Sequence, residues 1–109
     1  MGDGQKNEFQ QTDIFRDWLE SLKDKIGQRR IRVRIEDAED GNFGDCETVE
    51  GGVIEVKLHF GPGYRIYCYQ HSPNKYRLLV GGTKKEQQRD IGRAQRMKRE
   101  LEGEGAWLH

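Results

Sequence analysis

What this chain has little of narrows the field first. It carries two cysteines, Cys46 and Cys68, and two prolines in 109 residues. The cysteines have no C-x-x-C spacing, which argues against a redox pair and fits a reduced, cytoplasmic setting. Cys68 alternates in step with Ile66 and therefore reads as a packing residue rather than a nucleophile. There is no run of about 18 apolar residues and no charged-then-apolar leader, so no membrane association is expected. The three histidines, at 59, 71 and 109, lack ligand spacing, and the glycines form neither G-x-G-x-x-G nor G-x-x-x-x-G-K-[ST]. Metal-centred and nucleoside-triphosphate chemistry have no support in these patterns, and no cofactor is expected.

Net charge is missing too, since 19 Lys+Arg balance 19 Asp+Glu. The balance conceals a division. Residues 1–50 hold 8 basic and 13 acidic side chains, whereas residues 51–109 hold 11 and 6. Such asymmetry suits nucleic acid or an acidic protein partner without choosing between them. Hydrophobic residues make up only 33%, enough for one thin core. One domain over 8–102 is expected, between flexible segments at 1–7 and 103–109.

What is present is periodicity. Glu8 to Gln11 reads as a short strand supported by Phe9. Phe15, Trp18, Leu19 and Leu22 then follow i, i+3, i+4, i+7 behind Thr12 as N-cap, predicting a helix of about eleven residues. RRIRVRIEDAED (29–40) satisfies both a strand and a helix pattern. The helix is preferred because Gly41-Asn42 supplies a stop and the acidic end holds no β-branched residue. Arg30 and Arg34 would lie one turn apart on it as solvated charge. Residues 41–52 read as loop.

GVIEVKLHF then alternates as a half-buried strand, Gly61-Pro62-Gly63 turns the chain, and a second strand follows. Pairing Phe60 with Tyr64 sets a register in which His59 faces Arg65, Lys57 faces Tyr67 and Glu55 faces Tyr69, all on one face of the sheet. After a turn at 71–74, Tyr76 to Val80 forms a third strand that Gly81-Gly82 ends. Thr83 and Glu86 form a T-x-x-E capping box. The final helix buries Ile91, Ala94, Met97 and Leu101, exposes Arg89, Arg93, Arg96 and Arg99, and stops at Gly103 and Gly105.

The hairpin face is the one constellation suited to chemistry. Cleavage of RNA by its own 2′-hydroxyl needs a base for that hydroxyl, positive charge for the phosphate oxygens and an acid for the leaving 5′-oxygen. Lys57 or His59 can supply base or acid, Arg65 can bind phosphate oxygens, and Tyr67 can hydrogen-bond or stack on a base. Against this stands a plain structural reading, in which alternating polar residues and cross-strand Tyr, Arg and Glu pairs only stabilise a one-faced sheet.

The order of FRDWLESLKD (15–24), GNFGD (41–45), EVKLHFGPGYRIYCY (55–69) and LLVGGTKKEQQRDI (78–91) resembles the RelE/ParE toxin superfamily, and within it the HigB-like branch of addiction-module killer proteins. The resemblance covers residues 8–101. It implies an α+β fold: a short first strand, a two-helix hairpin, a three-stranded antiparallel sheet and a C-terminal helix. The implied activity is that of a ribosome-dependent mRNA endonuclease, a cytoplasmic toxin neutralised by a cognate antitoxin protein. Carried over by position, Lys57, Arg65 and Tyr67 would serve catalysis beside His59, with Lys84 and Lys85 as RNA phosphate contacts and Arg89 beside them. Two other functions compatible with the same resemblance are topoisomerase (gyrase) inhibition in the ParE manner, and a non-catalytic relative that binds an antitoxin and helps repress its operon. For the nuclease, Lys57, Arg65 and Tyr67 should lie within contact distance on a solvent-open sheet face, with Cys68 pointing away.

Overall fold

The computed structural model describes residues 6–108, with side chains through Gly103. Its elements run β1 (Glu8–Gln11), α1 (Asp13–Ser21), α2 (Lys25–Glu39), β2 (Cys46–Val49), β3 (Val53–Lys57), β4 (Tyr64–Ser72), β5 (Lys75–Thr83), a 3-10 turn (Lys84–Glu86) and α3 (Gln87–Leu108). The fold is α+β. Five strands form one mixed sheet in the order β1-β5-β4-β3-β2, with β1 parallel to β5 and the other pairs antiparallel. Among the described residues no helix is long and apolar enough to cross a membrane.

The sheet carries two more strands than the three-stranded expectation. β1 was read correctly from Phe9, whose ring stacks on Tyr76 at 4.9 Å, but here it extends the sheet rather than standing apart. β2 falls inside the segment read as loop. Its four residues pair with β3, from Cys46 opposite Val56 to Val49 opposite Val53. The strand is short and mostly exposed, so it shows no apolar alternation, and besides its ladder only Val49 packs toward a core. The first residues are tied down as well. Asn7 donates its backbone N–H to the Glu39 carbonyl at 2.8 Å and its side-chain amide to the Ala38 carbonyl at 2.9 Å. The rest of the expected flexible start, 1–5, lies outside the described residues.

Each face of the sheet has its own core. Phe15 and Leu19 of α1 and Ile31 of α2 pack with Val56, Leu58, Tyr64, Ile66, Cys68 and Leu78. On the opposite face, Ala94 packs with Val53, Tyr67, Tyr69, Leu79 and Val80, flanked by Ile91, Met97 and Leu101. The apolar stripe expected on α3 is therefore real, and it covers the sheet face that was expected to be open to solvent. Cys68 points to the α1/α2 side as expected. Burial pushes its thiol up to about 12, which makes it inert.

β5 runs straight through Gly81 and Gly82 rather than ending there. The strand alternation sends the two α-hydrogens to opposite faces. A Cβ on Gly81 would run into the Trp18 ring and one on Gly82 into the Asp90 carboxylate. Each glycine is thus the landing site of a large group from a covering helix, which a strand Cβ would displace. Gly81→Ala is expected to cost about 2–3 kcal/mol by overpacking. Urea denaturation checks it, and shortening Trp18 to Leu in the same chain should recover part of the loss. The expected T-x-x-E capping box does not form, because Thr83 makes no side-chain cap bond and the 3-10 turn intervenes. α3 passes through Gly103 to Leu108 rather than stopping there.

α2 begins four residues earlier than its pattern suggested, at an N-cap, Asp24, whose carboxylate accepts from the Gly27 N–H at 2.9 Å. The Tyr64 hydroxyl donates to the same carboxylate at 2.9 Å, pinning the start of α2 to β4. These two bonds, the backbone one first, hold the Asp24 carboxyl below its ordinary range. A depressed carboxyl contributes stability at neutral pH and loses it as the pH falls through the folded-state value. Asp24→Ala should therefore lower the urea midpoint at neutral pH, and the gap from wild type should close under acid.

Candidate functional site

The β3–β4 hairpin sets the site. Its register is Lys57 opposite Arg65, Glu55 opposite Tyr67 and Val56 opposite Ile66, two residues displaced from the expected pairing. The displacement arises because the connection is longer than Gly-Pro-Gly. The Leu58 N–H reaches the Tyr64 carbonyl at 3.0 Å, and the Gly63 N–H closes a turn on the Phe60 carbonyl at 2.9 Å. Gly61 and Gly63 take φ of 54° and 74°, the region glycine enters without strain. A shift of two preserves the face of every side chain, so the polar groups do share one side.

They do not share a solvent-open surface. Tyr67 is 0% exposed because α3 packs on it through Ala94, and Arg65 is 5% exposed. The Tyr67 hydroxyl donates to Glu55 Oε2 at 3.0 Å, and Gln87 Nε2 from α3 donates to the same oxygen at 2.7 Å. Burial first, then the Glu55 charge, pushes the Tyr67 phenol far above its ordinary value, so it cannot ionise or meet a base. Lys57 is not aimed at Tyr67 either. Its ammonium pairs with Glu47 of β2 at 2.8 Å, which holds it charged. The expected quartet of Lys57, His59, Arg65 and Tyr67 is thus divided: Tyr67 belongs to a buried network, and Lys57 is neutralised by the strand that the sequence reading missed.

The other two members meet in a groove of about 380 Å³ at the hairpin tip, lined by His59, Phe60, Arg65 and Lys84 around Gly61–Gly63. Arg65 forms its buried wall. Its Nη1 donates to the Gly63 carbonyl at 3.1 Å and the Tyr64 carbonyl at 3.3 Å. Its Nε lies 3.7 Å from Glu55 Oε2 and has no hydrogen-bond partner. Lys84 lines the same groove, placed so that a Cβ added at Gly63 would come within 3.1 Å of the Lys84 Cβ. Lys85, the next residue, is exposed outside the groove lining. Arg89 is turned to carboxylates, 3.2 Å from both Glu86 and Asp90.

His59 lies beyond the end of β3 and is exposed, and its Nε2 bonds Asp45 Oδ2. That bond is the first cause of an Asp45 carboxyl held below its ordinary range. Asp45 was not anticipated from sequence. It is delivered by the β2 ladder, where the Lys57 N–H donates to the Asp45 carbonyl at 2.9 Å. Arg34 also holds it, donating to the Phe43 and Asp45 carbonyls at 3.0 and 3.2 Å. Arg34, expected as solvated charge, is a structural clamp. Arg30 likewise rests on Phe60, 4.6 Å from the ring centre. The signal for Asp45 was present in GNFGD, but only a strand at 46–49 carries that segment to His59.

An imidazole fixed by a carboxylate, a buried guanidinium and an ammonium around one groove can bind a phosphodiester and move protons beside it. No family model matches the chain. It is 37% identical over 90 residues to a Haemophilus influenzae protein described as "Uncharacterized protein", across 83% of this chain and 91% of that one. The chain belongs to the family of that Haemophilus influenzae protein.

Proposed function

We propose that this protein is a HigB-like toxin of the RelE/ParE superfamily, an mRNA endonuclease that works on the ribosome and is neutralised by a cognate antitoxin. The observation that carries the reading is the hairpin-tip groove, where His59, Arg65 and Lys84 come together with Asp45 against the imidazole. His59 takes the proton of the RNA 2′-hydroxyl, the 2′-oxygen bonds to phosphorus, and the bond to the 5′-oxygen breaks. The products are a 2′,3′-cyclic phosphate and a 5′-hydroxyl, the latter receiving its proton from the protonated imidazole or from water. Arg65 and Lys84 offset the negative charge gathering on the phosphate oxygens. The element order, strand, two helices, antiparallel strands and final helix, supports the superfamily assignment.

A test maps RNA 5′ ends in a translating extract with wild type and Lys84→Ala. New ends that weaken in the variant are expected. Growth arrest with no new ends sinks the nuclease. A second reading, ParE-like inhibition of a topoisomerase by protein binding, draws on the burial of Tyr67, which leaves a smaller set of acid–base groups in reach. Supercoiling inhibition without RNA cleavage would favour it.

A further inference from the structure

A second groove lies on the other side of the hairpin tip. It encloses about 310 Å³ between α2 and the hairpin, lined by Arg29, Arg30, Val33, Arg34 and Asp37 on the helix and by Leu58 and Phe60 on the hairpin. Phe60 also lines the groove that holds His59, Arg65 and Lys84. The two grooves therefore meet at one aromatic side chain.

Arg34 is held by the Phe43 and Asp45 carbonyls, but the other two arginines of this groove carry charge that no ion pair uses. Among the described residues Arg29 and Arg30 form no ion pair, although both are exposed and Asp37 lies a turn or two along the same helix. Arg30 instead lies over Phe60, and Val33 is 47% exposed beside it. Exposed apolar surface framed by guanidinium groups without ion-pair partners suits a ligand that is both anionic and flat-faced. Single-stranded RNA is such a partner: phosphates pair with arginine, and bases stack on aromatic rings and guanidinium planes.

We infer that Arg29, Arg30 and Phe60 form a subsite for the flank of a single-stranded RNA whose neighbouring phosphate occupies the His59–Arg65–Lys84 groove. The substrate class rests on the proposed nuclease, but the binding site can fail independently of it. RNA would bend around the hairpin tip, with Phe60 as the hinge between the reacting phosphate and the arginine-bound flank. Affinity would then depend on chain length, since a dinucleotide fills the first groove alone.

The probe is a fully 2′-O-methylated RNA of roughly ten nucleotides, which lacks the attacking hydroxyl and cannot be cut, beside a 2′-O-methylated dinucleotide. Fluorescence anisotropy across a salt series gives the affinities. The double variant Arg29→Ala/Arg30→Ala should weaken the longer RNA about tenfold or more and flatten its log affinity against log salt by about 1.4, or 0.7 per phosphate contact for single strands. The dinucleotide should be unaffected. Phe60→Leu, which keeps an apolar side chain at the tip, should weaken the longer RNA about fivefold or more through lost stacking. Equal affinity for the two RNAs in wild type, or an unchanged salt slope in the double variant, overturns the subsite. So does a decaglutamate peptide that binds wild type and not the double variant while RNA affinity stays the same, which would reassign the groove to an acidic protein. Tight length-dependent binding by a protein that leaves messenger uncut would sink the nuclease alone; cutting that is indifferent to Arg29 and Arg30 would sink the subsite alone.

Discussion

Arg65→Ala is expected to lower folding stability by about 3–5 kcal/mol, a melting temperature drop of roughly 12 °C or more for a domain of this size. The guanidinium is buried on one wall of the groove, and its carboxylate partner among the described residues is Glu55, itself 1% exposed. Deleting the cation strands a buried carboxylate, whose remaining partners, Tyr67 and Gln87, donate hydrogen bonds but carry no charge. Glu55→Gln placed in the same chain should restore roughly 2 kcal/mol, since a neutral amide has no charge to strand. Urea denaturation of wild type, both single variants and the double variant measures this coupling. Strict additivity of the two changes would show that the 3.7 Å pair is not coupled. The consequence for function is practical: loss of activity in Arg65→Ala cannot by itself assign Arg65 a role in the reaction.

On the proposed nuclease reading, His59→Ala should behave in the opposite way, with RNA cleavage falling about 10²-fold or more while the urea midpoint stays close to wild type. His59 lies outside any strand, is exposed, and packs in neither core, so its removal opens no cavity. Its loss removes the only imidazole among the described residues that line the groove. Asp45→Asn should produce a smaller loss than His59→Ala, because an amide holds the ring less well without removing it. Single-turnover cleavage of a short messenger carried on programmed ribosomes, run beside thermal melts, checks both. A His59→Ala protein that cuts at the wild-type rate would reduce the His59–Asp45 contact to a surface ion pair.

Several elements were legible from local pattern. The α1 and α3 stripes and the hairpin strands repeat at their own periods, and period alone places Cys68 opposite Tyr67 whatever the register. β2 was not legible. CETV has no buried face to advertise, and its pairing with β3 is backbone hydrogen bonding that any side chains permit. Gly81-Gly82 was misread for a related reason: glycine weakens a strand in isolation, and only Trp18, from α1 far back in the chain, and Asp90, from the helix that follows, explain why the strand needs it there.

The sequence by itself determined which residues are apolar, at what period, and therefore which side chains of each strand travel together. Local sterics and the alternation of the backbone suffice for that. Only the tertiary structure decided what covers each face, because a stripe on α3 specifies that it must be buried but not against what. Placed over the hairpin, α3 takes Tyr67 out of solvent, while β2 neutralises Lys57 and brings Asp45 to His59. The candidate site therefore moved from the strand face to the hairpin tip through contacts between distant segments, which no local window contains.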